Sequence, residues 1–426
     1  MIETNMSGTG FQAFPLAADL DIELVFVTRD LGLYEEIPGV ADLFRRYISD
    51  FVTCETNDED SIVKALEEYR SRWPLDGIAA FGEYHVTIAA AVCRRLGLPG
   101  PDPESVRVSR NKDLMREACS QAGVAVPRFA IAGPADDPAA VAGSVGYPCV
   151  VKPADQSGST DVSICFDEAD ARRKTGEIRS SPVNYRGQAR SPVVLFEEYL
   201  TGHEVSVETV SFRGTTTVVG VTDKQLSSLP YFVEMGHAFP SALPGAVADA
   251  CARVAVGALD AVGYDLGVAH VEVRMSGDGP RLIEVNPRPA GDRIPDLVEL
   301  ATGISLVREV LRMSLGLAPD LAPSRAAAAA IRFAWAYPGR VRRILGADFA
   351  RGLPGIAGVG LEVAPGGLVR SLTGDHDRVA YVIASGETTY AACRSAETAL
   401  AHIMIDTEPD GAGEPAGAAV VPDSRR

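Results

Sequence analysis

Apolar and polar residues alternate along the first part of the chain in a way that predicts strands and helices in turn. Short apolar runs indicate strands, and apolar residues three or four positions apart indicate amphipathic helices. The predicted strands are Ile22–Thr28, Phe51–Cys54 and Gly77–Phe81, and the predicted helices are Val40–Tyr47, Asp60–Arg72 and Tyr84–Leu96. This order is typical of a parallel, doubly wound α/β sheet. Ligands of such sheets lie beyond the carboxyl ends of the strands, so Glu83, after the third strand, is a candidate substrate contact.

Further along, the pattern predicts a larger body and a small α+β unit. The predicted helices are Asn111–Ala122, Asp167–Ile178 and Ala246–Val262, and the predicted strands are Val145–Lys152, Val193–Tyr199, Glu204–Ser211 and Thr216–Thr222. Proline-rich segments at 98–103 and 319–323 predict linkers. We therefore expect a flexible arm at 1–20, an N-terminal α/β domain at 21–105, a central body at 106–317, a small α+β domain at 325–408 and a disordered tail at 409–426.

The segment 270–288 predicts a β-hairpin around a turn-rich stretch at 276–280. Pairing of Met275 with Arg281 would set its register. One face would then carry Glu272 opposite Glu284 and His270 opposite Asn286, and the other face Val271, Val273, Ile283 and Val285.

Two carboxylates directly opposite each other on a sheet repel, and a cation between them removes the repulsion. Glu272, Glu284 and Asn286 offer oxygen ligands, which suit Mg²⁺ held together with phosphates. For the hairpin taken alone, a solvated polar face is the simpler alternative.

Two upstream segments have features that suit a nucleotide. The predicted strand that ends in Lys152 runs into a loop of small residues, Ser157, Gly158 and Ser159, whose amides and hydroxyls can cradle phosphates. A solvated strand end is the commoner explanation of such a lysine. The segment 195–204 can present main-chain groups to adenine, and Glu204 can accept hydrogen bonds from ribose hydroxyls.

Composition and charge narrow the classes of function. The formal net charge is −17 with no basic block, which argues against nucleic acid as a partner. No apolar run approaches the roughly 20 residues that a membrane span needs. Seven scattered cysteines without a Cys-x-x-Cys motif indicate reduced thiols, so we expect a cytoplasmic protein with no membrane partner. The chain has only five lysines against 35 arginines, which makes each lysine informative.

The order of these motifs resembles the ATP-grasp superfamily over roughly residues 20–315. The motifs are a helix that begins near Lys112, the Val-Lys-Pro at Lys152, the Glu-Glu-Tyr-Leu-x-Gly-x-Glu at 197–204, and the Glu272…Glu284-x-Asn286 hairpin. The resemblance implies an ATP-grasp fold, in which an N-terminal α/β domain, a central subdomain and an ATP-gripping subdomain form one body.

The resemblance also implies roles for the motif residues. Lys112, Lys152 and the loop Ser157, Gly158 and Ser159 would contact the ATP phosphates. Adenine would be held by Glu197, Glu198, Tyr199 and Leu200, and the ribose by Glu204. Two Mg²⁺ ions, with Mn²⁺ as an alternative metal, would be bound by Glu272, Glu284 and Asn286.

A finer resemblance is to the bacterial L-amino-acid ligases of the bacilysin-synthetase type. It is carried by the segments 231–240 and 286–295 and by Ala330-Ile-Arg-Phe, Leu353-Pro-Gly and Asp377-Arg-Val-Ala-Tyr-Val in the C-terminal unit. It implies a carboxylate–amine ligase that acts through an acyl phosphate on an amino acid and an amine, giving a dipeptide of the kind made in antibiotic biosynthesis. Prolines at 287 and 289 tighten one loop, so the acceptor preference does not transfer.

The finer resemblance implies catalytic and substrate residues. Glu83, Glu234 and His237 would contact substrate, and Arg288 would hold the transferred phosphate and the tetrahedral intermediate. His237 would accept the proton of the amine or orient the intermediate. The segments 155–161 and 226–243 are candidate lids that exclude water. The sequence does not fix the oligomeric state, and a homodimer is the default because dimers are the commonest.

Three alternatives stay open. The same chemistry can act on a non-amino-acid amine or carboxylate in a specialised-metabolite pathway. An ATP-grasp carboxylase is a second alternative, although the chain carries no Met-Lys-Met for biotin attachment. A nucleotide-binding regulator without turnover is the third, and the presence of three oxygen ligands and both lysines argues against it.

Overall fold

The computed structural model describes residues 1–4, 9–227 and 231–409. Its N-terminal domain places helices around a small parallel sheet. The elements are α1 (Thr9–Asp19), β1 (Leu24–Thr28), α2 (Gly32–Glu35), α3 (Val40–Tyr47), β2 (Ile48–Thr53), α4 (Glu59–Arg70) and α5 (Val86–Leu96). Strand β1 pairs with β2 in parallel, which confirms the predicted α/β character of this domain.

The start of the chain occupies the place expected for a third strand. Ile2 bridges Val27 in parallel, and its N–H donates to the carbonyl oxygen of Ala79 at 3.0 Å. The prediction of a strand at 77–81 is therefore wrong, because the chain start takes that edge of β1. The prediction of a flexible arm at 1–20 is also wrong for the described residues, because Ile2 and Phe14 are fully buried.

The middle of the chain forms a four-stranded antiparallel sheet. It follows two helices, α6 (Pro103–Arg110) and α7 (Lys112–Gln121). Its elements are β3 (Phe129–Ala132), α8 (Pro138–Val145), β4 (Cys149–Pro153), β5 (Ser163–Cys165), α9 (Glu168–Ser180) and β6 (Val194–Glu198). The strand order β3-β6-β4-β5 places β4, which carries Lys152, beside β6.

The next segment supplies five strands to an eight-stranded sheet. The elements are β7 (Glu204–Phe212), β8 (Thr215–Leu226), β9 (Glu234–Phe239), α10 (Gly245–Val262), β10 (Gly267–Ser276), β11 (Gly279–Asn286), α11 (Ile294–Thr302) and α12 (Leu306–Ser314). Helix α10 buries Cys251, Ala255 and Leu259, at helical spacing, against Val271 and Val273 of β10. This packing fixes which face of β10 points away from the core.

The C-terminal unit supplies three strands to the same sheet and forms a separate sheet from its other three strands. Its elements are β12 (Ala328–Ala334), β13 (Gly339–Leu345), α13 (Ala347–Arg351), β14 (Ile356–Leu361), β15 (Leu368–Val369), a 3₁₀ turn (Asp375–Asp377), β16 (Ala380–Gly386), α14 (Thr389–Leu400) and β17 (Met404–Glu408). The eight strands run in the order β11-β10-β7-β8-β9-β12-β16-β14.

Strand β12 joins the two parts of the chain by pairing with β9, where Ile331 lies opposite His237. A Cβ at Gly236 would lie 2.8 Å from the carbonyl oxygen of Ile331, so glycine allows this close approach. The small C-terminal α+β unit is therefore present as predicted, but the sheet is continuous with the body.

Two expectations concern the ends and the surroundings of the chain. The predicted tail at 409–426 lies outside the described residues, apart from Pro409. Among the described helices, none has the length and apolar character needed to cross a bilayer.

We expect Phe14→Ala to destabilise the N-terminal domain by about 3–5 kcal/mol, because Phe14 fills a core site between Phe26 and Phe44. Urea unfolding followed by fluorescence measures the change. Phe166→Ala is the control, since that ring is 64% exposed and should change stability little. If both variants were equally stable, the result would support the prediction of a flexible arm at 1–20.

Candidate active site

One cleft lies between the four-stranded and the eight-stranded sheets, and most of the predicted site residues meet there. Those that line it are Lys112, Lys152, Gly158, Ser159, Glu197, Glu198, Tyr199, Leu200, Glu204, Glu234, Glu272, Glu284, Asn286 and Arg288. The lining does not include Ser157, Glu83 or His237. The last two contact residues that do line it, as described below.

The hairpin β10–β11 has the predicted register at its functional end. Glu272 lies opposite Glu284, and His270 lies opposite Asn286. A bulge follows Glu272, so Met275 pairs with Pro280 and the predicted pairing with Arg281 is wrong. The extra residue in β11 also brings Ile283 to the cleft, not to the opposite face as predicted.

Buried cations neutralise the two opposed carboxylates. The Lys112 ammonium lies 2.9 Å from Glu284, and the Lys224 ammonium lies 3.1 Å from Glu272. His270 adds a contact of 3.3 Å to Glu272. Burial lowers the pKa of His270, but Glu208 and Glu272 outweigh it and raise that pKa to about 9. The repulsion expected from the register is therefore offset by protein cations.

Lys152 and Glu197 belong to a buried charge cluster. Lys152 lies 2.5 Å from one oxygen of Glu197, and Arg116 donates to the other at 2.7 Å. Arg116 also donates to the carbonyl oxygens of Leu282 and Ile283, so it ties α7 to β11. Burial lowers the pKa of Lys152 in spite of the Glu197 carboxylate. The side chain of Glu197 thus neutralises two cations. Contact of the segment 197–200 with adenine stays a prediction.

Lys224 is the third buried lysine, and it contacts three carboxylates. Its ammonium lies 2.7 Å from Glu234, 3.0 Å from Glu204 and 3.1 Å from Glu272. These carboxylates are the residues predicted for substrate, ribose and metal. Burial lowers the pKa of Lys224, but the three carboxylates outweigh it and raise that pKa well above its ordinary value. Lys224 was not predicted as a site residue, although it is one of only five lysines in the chain.

Glu83 holds two arginines. It accepts a hydrogen bond from Arg288 and lies 3.2 Å from Arg110. Burial raises the pKa of Glu83, but the two arginines outweigh it and lower that pKa below its ordinary value. Glu83 therefore fixes the guanidinium of Arg288 at the edge of the cleft, and its direct contact with substrate stays a prediction. Arg110 was not predicted from the sequence.

His237 lies between two carboxylates. Its Nε2 is 3.2 Å from Glu234 and 3.2 Å from Asp292. Burial lowers the pKa of His237, but hydrogen bonds with Asp292 and Glu234 outweigh it and raise that pKa above its ordinary value. Asp292, which sequence reasoning missed, comes from the loop after β11, six residues beyond Asn286.

The loops predicted as lids differ in structure. In the loop after β4, Gly158, Ser159 and Asp161 have left-handed backbone conformations, and the carbonyl oxygen of Gln156 accepts from Lys112. The predicted lid at 226–243 is not one loop, because β9 forms at 234–239. Residues 228–230 of that segment lie outside the described residues.

The donor set suits a hard divalent cation. Glu272, Glu284 and Asn286 line the same cleft, and each offers a side-chain oxygen, the ligand atom that Mg²⁺ prefers. Lys112 and Lys152 line that cleft beside them, where they can bind phosphate oxygens. The residues present therefore fit a magnesium–nucleotide complex.

Profiles of known families match three parts of the chain. One described as ATP-grasp N-terminal domain matches residues 14–100, and one described as ATP-grasp domain matches residues 145–296. A third, described as L-amino acid ligase C-terminal domain 2, matches residues 332–408. These matches confirm the resemblance and the fold that the order of motifs predicted.

Individual proteins are similar over much of the chain. The uncharacterized protein y4rH of Sinorhizobium fredii is 31% identical over 350 residues, which are 82% of this chain and 71% of that protein. Carnosine synthase 1 of Gallus gallus is 29% identical over 286 residues, which are 63% of this chain and 30% of the synthase. This chain thus matches about a third of the length of that synthase.

The crystal structure of an L-amino acid ligase from Bacillus licheniformis superposes with a TM-score of 0.79. The two chains are 20% identical, and the match covers 96% of this chain and 98% of the ligase. At this identity the likeness establishes the fold.

We expect Glu197→Ala to destabilise the protein by about 3–5 kcal/mol, because it leaves Arg116 and Lys152 buried without a counter-charge. Glu198→Ala is the matched control at the next position. Its partner Arg128 is 73% exposed, and its second partner, Arg281, lies 3.7 Å away, so the loss should be below about 1 kcal/mol. Thermal unfolding of both variants measures the difference, and similar losses would contradict the structural role of Glu197.

Proposed function

This chain belongs to the ATP-grasp superfamily, and we propose that it is an ATP-dependent ligase that joins a carboxylate to an amine. The proposed carboxylate donor is an L-amino acid, and the product is an amide, most simply a dipeptide. ADP and inorganic phosphate are the other products.

One observation carries this proposal. A single cleft holds two lysines, an all-oxygen donor set and an arginine fixed by a buried carboxylate. The lysines and the oxygen donors suit a triphosphate with its metal, and Arg288 stands two residues beyond Asn286. Nucleotide and carboxylate can therefore meet without leaving the cleft. The names of the similar synthase and ligase support the same class of reaction.

The reaction follows from the chemistry of a carboxylate, which is a poor electrophile because loss of O²⁻ is prohibitive. Transfer of the γ-phosphoryl group of ATP to one carboxylate oxygen gives an acyl phosphate and ADP. The nitrogen of the amine then attacks the carbonyl carbon. The tetrahedral intermediate collapses, the C–O bond to phosphate breaks, and the nitrogen loses a proton.

Phosphoryl transfer brings two anions together, so positive charge is needed. Glu272, Glu284 and Asn286 would hold Mg²⁺, which supplies charge neutralisation between the phosphates and the carboxylate. Lys112 and Lys152 would bind phosphate oxygens. Arg288, held by Glu83, would donate to the transferring phosphoryl and then to the tetrahedral oxyanion.

The amine must lose a proton to attack. Glu234 and His237 lie together, and Glu234 lines the cleft, so it can bind an ammonium group. In the proposed reaction, His237 accepts a proton from the amine or orients the tetrahedral intermediate. Its contacts with two carboxylates favour the charged form that proton acceptance creates.

Purified protein should release phosphate from ATP only when a suitable amino acid and a suitable amine are both present. Mass spectrometry over a panel of amino-acid pairs identifies the condensed product. Phosphate release with bicarbonate alone would favour a carboxylase. Phosphate release with non-amino-acid amines, but with no amino acid as acceptor, would favour the specialised-metabolite alternative. No phosphate release with any pair of substrates would contradict the proposal.

We expect Glu284→Ala to lower the turnover rate by more than about 100-fold, because it removes a metal ligand and the partner of Lys112. Asp278→Ala on the same hairpin is the control, since that side chain is 87% exposed. Steady-state phosphate release at saturating Mg²⁺ measures both variants, and circular dichroism checks the fold. An unchanged rate in Glu284→Ala would refute the metal assignment.

A further inference from the structure

The C-terminal unit reaches the substrate end of the cleft through Asp375, which lines the cleft, and through Arg378, which pairs with the lining residue Asp292. Arg378, which follows the 3₁₀ turn, donates to both oxygens of Asp292, at 2.6 and 2.7 Å. Its guanidinium carbon lies 3.8 Å from the centre of the Phe333 ring on β12. The side chain is 9% exposed. This forked pair is geometrically specific, because a lysine cannot reproduce it.

Asp292 connects Arg378 to His237, so the pair that orients Asp292 also orients the imidazole ring. The Asp292 oxygen that accepts from Arg378 Nη1 also lies 3.2 Å from His237 Nε2. Asp292 and Arg293 both have left-handed backbone conformations, with φ of 49° and 59°. Such conformations persist in non-glycine residues when surrounding contacts hold them, and the Arg378 pair is such a contact.

The C-terminal unit also holds both backbone polar groups of Glu234. The Glu234 N–H donates to Asp375 Oδ1 at 3.0 Å, and the Glu234 carbonyl oxygen accepts from Arg378 at 2.8 Å. Asp377 fixes the turn that carries these residues by accepting from the N–H groups of Thr373 and Gly374. The position of Glu234 is thus set from a part of the sequence some 140 residues away.

We propose that Arg378 and Asp375 are positioning residues for the amine-binding pair Glu234 and His237, so that the C-terminal unit sets how the substrate ammonium group is bound. The inference rests on the proposed ligase function. It gives the C-terminal unit a defined task in the reaction, although its residues contact the site mainly through Asp292 and the backbone of Glu234. The proposed phosphate ligands Lys112 and Lys152 lie on α7 and β4 and pair with Glu284 and Glu197, so a variant at Arg378 or Asp375 leaves these pairs in place.

The three ligand atoms of Glu234, His237 and Asp292 lie within 4.8 Å of one another, which is a spacing that a metal ion can bridge. Arg378 and Lys224 already supply cations to the two carboxylates. In the proposed function, Glu234 and His237 of this cluster bind the ammonium group of the amine.

Two variants test the positioning role. Arg378→Gln should lower kcat/KM for the amine-bearing substrate by about 10- to 100-fold, because small misplacements of substrate-binding groups have effects of this size. The affinity for a non-hydrolysable ATP analogue, measured by calorimetry, should stay within about twofold of the wild-type value. Arg378→Lys should recover part of the loss, since it keeps the charge but not the fork.

Asp375→Ala tests the same role at the other contact, because it removes the acceptor of the Glu234 N–H and a 3.8 Å ion pair with Arg378 but keeps Arg378 and Asp292 in the chain. Hydrogen exchange read by mass spectrometry should show faster exchange at the Glu234 amide in this variant and in Arg378→Gln. This readout does not depend on turnover. Arg351→Gln is the matched control in the same unit, since it removes only an exposed ion pair with Asp348 and should change neither readout.

The outcomes separate the inference from the proposed function. If wild-type protein forms the amide while Arg378→Gln and Asp375→Ala match it in exchange and in kcat/KM, the positioning role is refuted and the ligase function stands. If both variants lose nucleotide affinity to the same extent as amine turnover, a general structural role replaces the inference. If wild-type protein forms no amide with any pair, both the function and the inference fail.

Discussion

Two carboxylates face each other across the β10–β11 hairpin, and buried cations around the cleft offset their repulsion. Glu272 and Glu284 each contact a buried lysine, Lys224 and Lys112. A buried charge is stable only when it is paired, so each of these lysines depends on the carboxylates as much as they depend on it. The arrangement leaves oxygen donors and ammonium groups side by side in one cleft. This is the combination that a metal–triphosphate complex needs.

Lys224 extends the same constraint across the site. Its ammonium group contacts Glu204, predicted for the ribose, Glu234, predicted for the substrate, and Glu272, predicted for the metal. Each of these carboxylates has a second cationic or titratable neighbour. Glu204 contacts Arg274, Glu234 contacts His237, and Glu272 contacts His270. Charges at the nucleotide end and at the substrate end are therefore not independent. Because β8 and β9 lie in the same continuous sheet as β12, the C-terminal unit is tied into this network as well.

Local patterns predicted the parts of the site that depend on local rules. Alternation of period two placed Glu272 opposite Glu284 on one face, and the bulge offsets the wrong pairing of Met275 with Arg281. The helix at 40–47 was predicted with its observed bounds. The bulge after Glu272 was not predictable, because no glycine or proline marks it. Burial of the chain start was missed because its partners, Val27 and Ala79, are distant in sequence. Arg378 was missed for the same reason, since its partner Asp292 is 86 residues away.

Oxygen-isotope transfer shows whether the reaction passes through an acyl phosphate. An accepted amino acid labelled with ¹⁸O in its carboxylate is incubated with ATP, Mg²⁺ and the amine, and the phosphate is analysed by mass spectrometry. We expect one ¹⁸O atom in each released phosphate, because the oxygen that receives the γ-phosphoryl group leaves with it. Unlabelled phosphate alongside amide formation, or label found in AMP, would contradict this expectation.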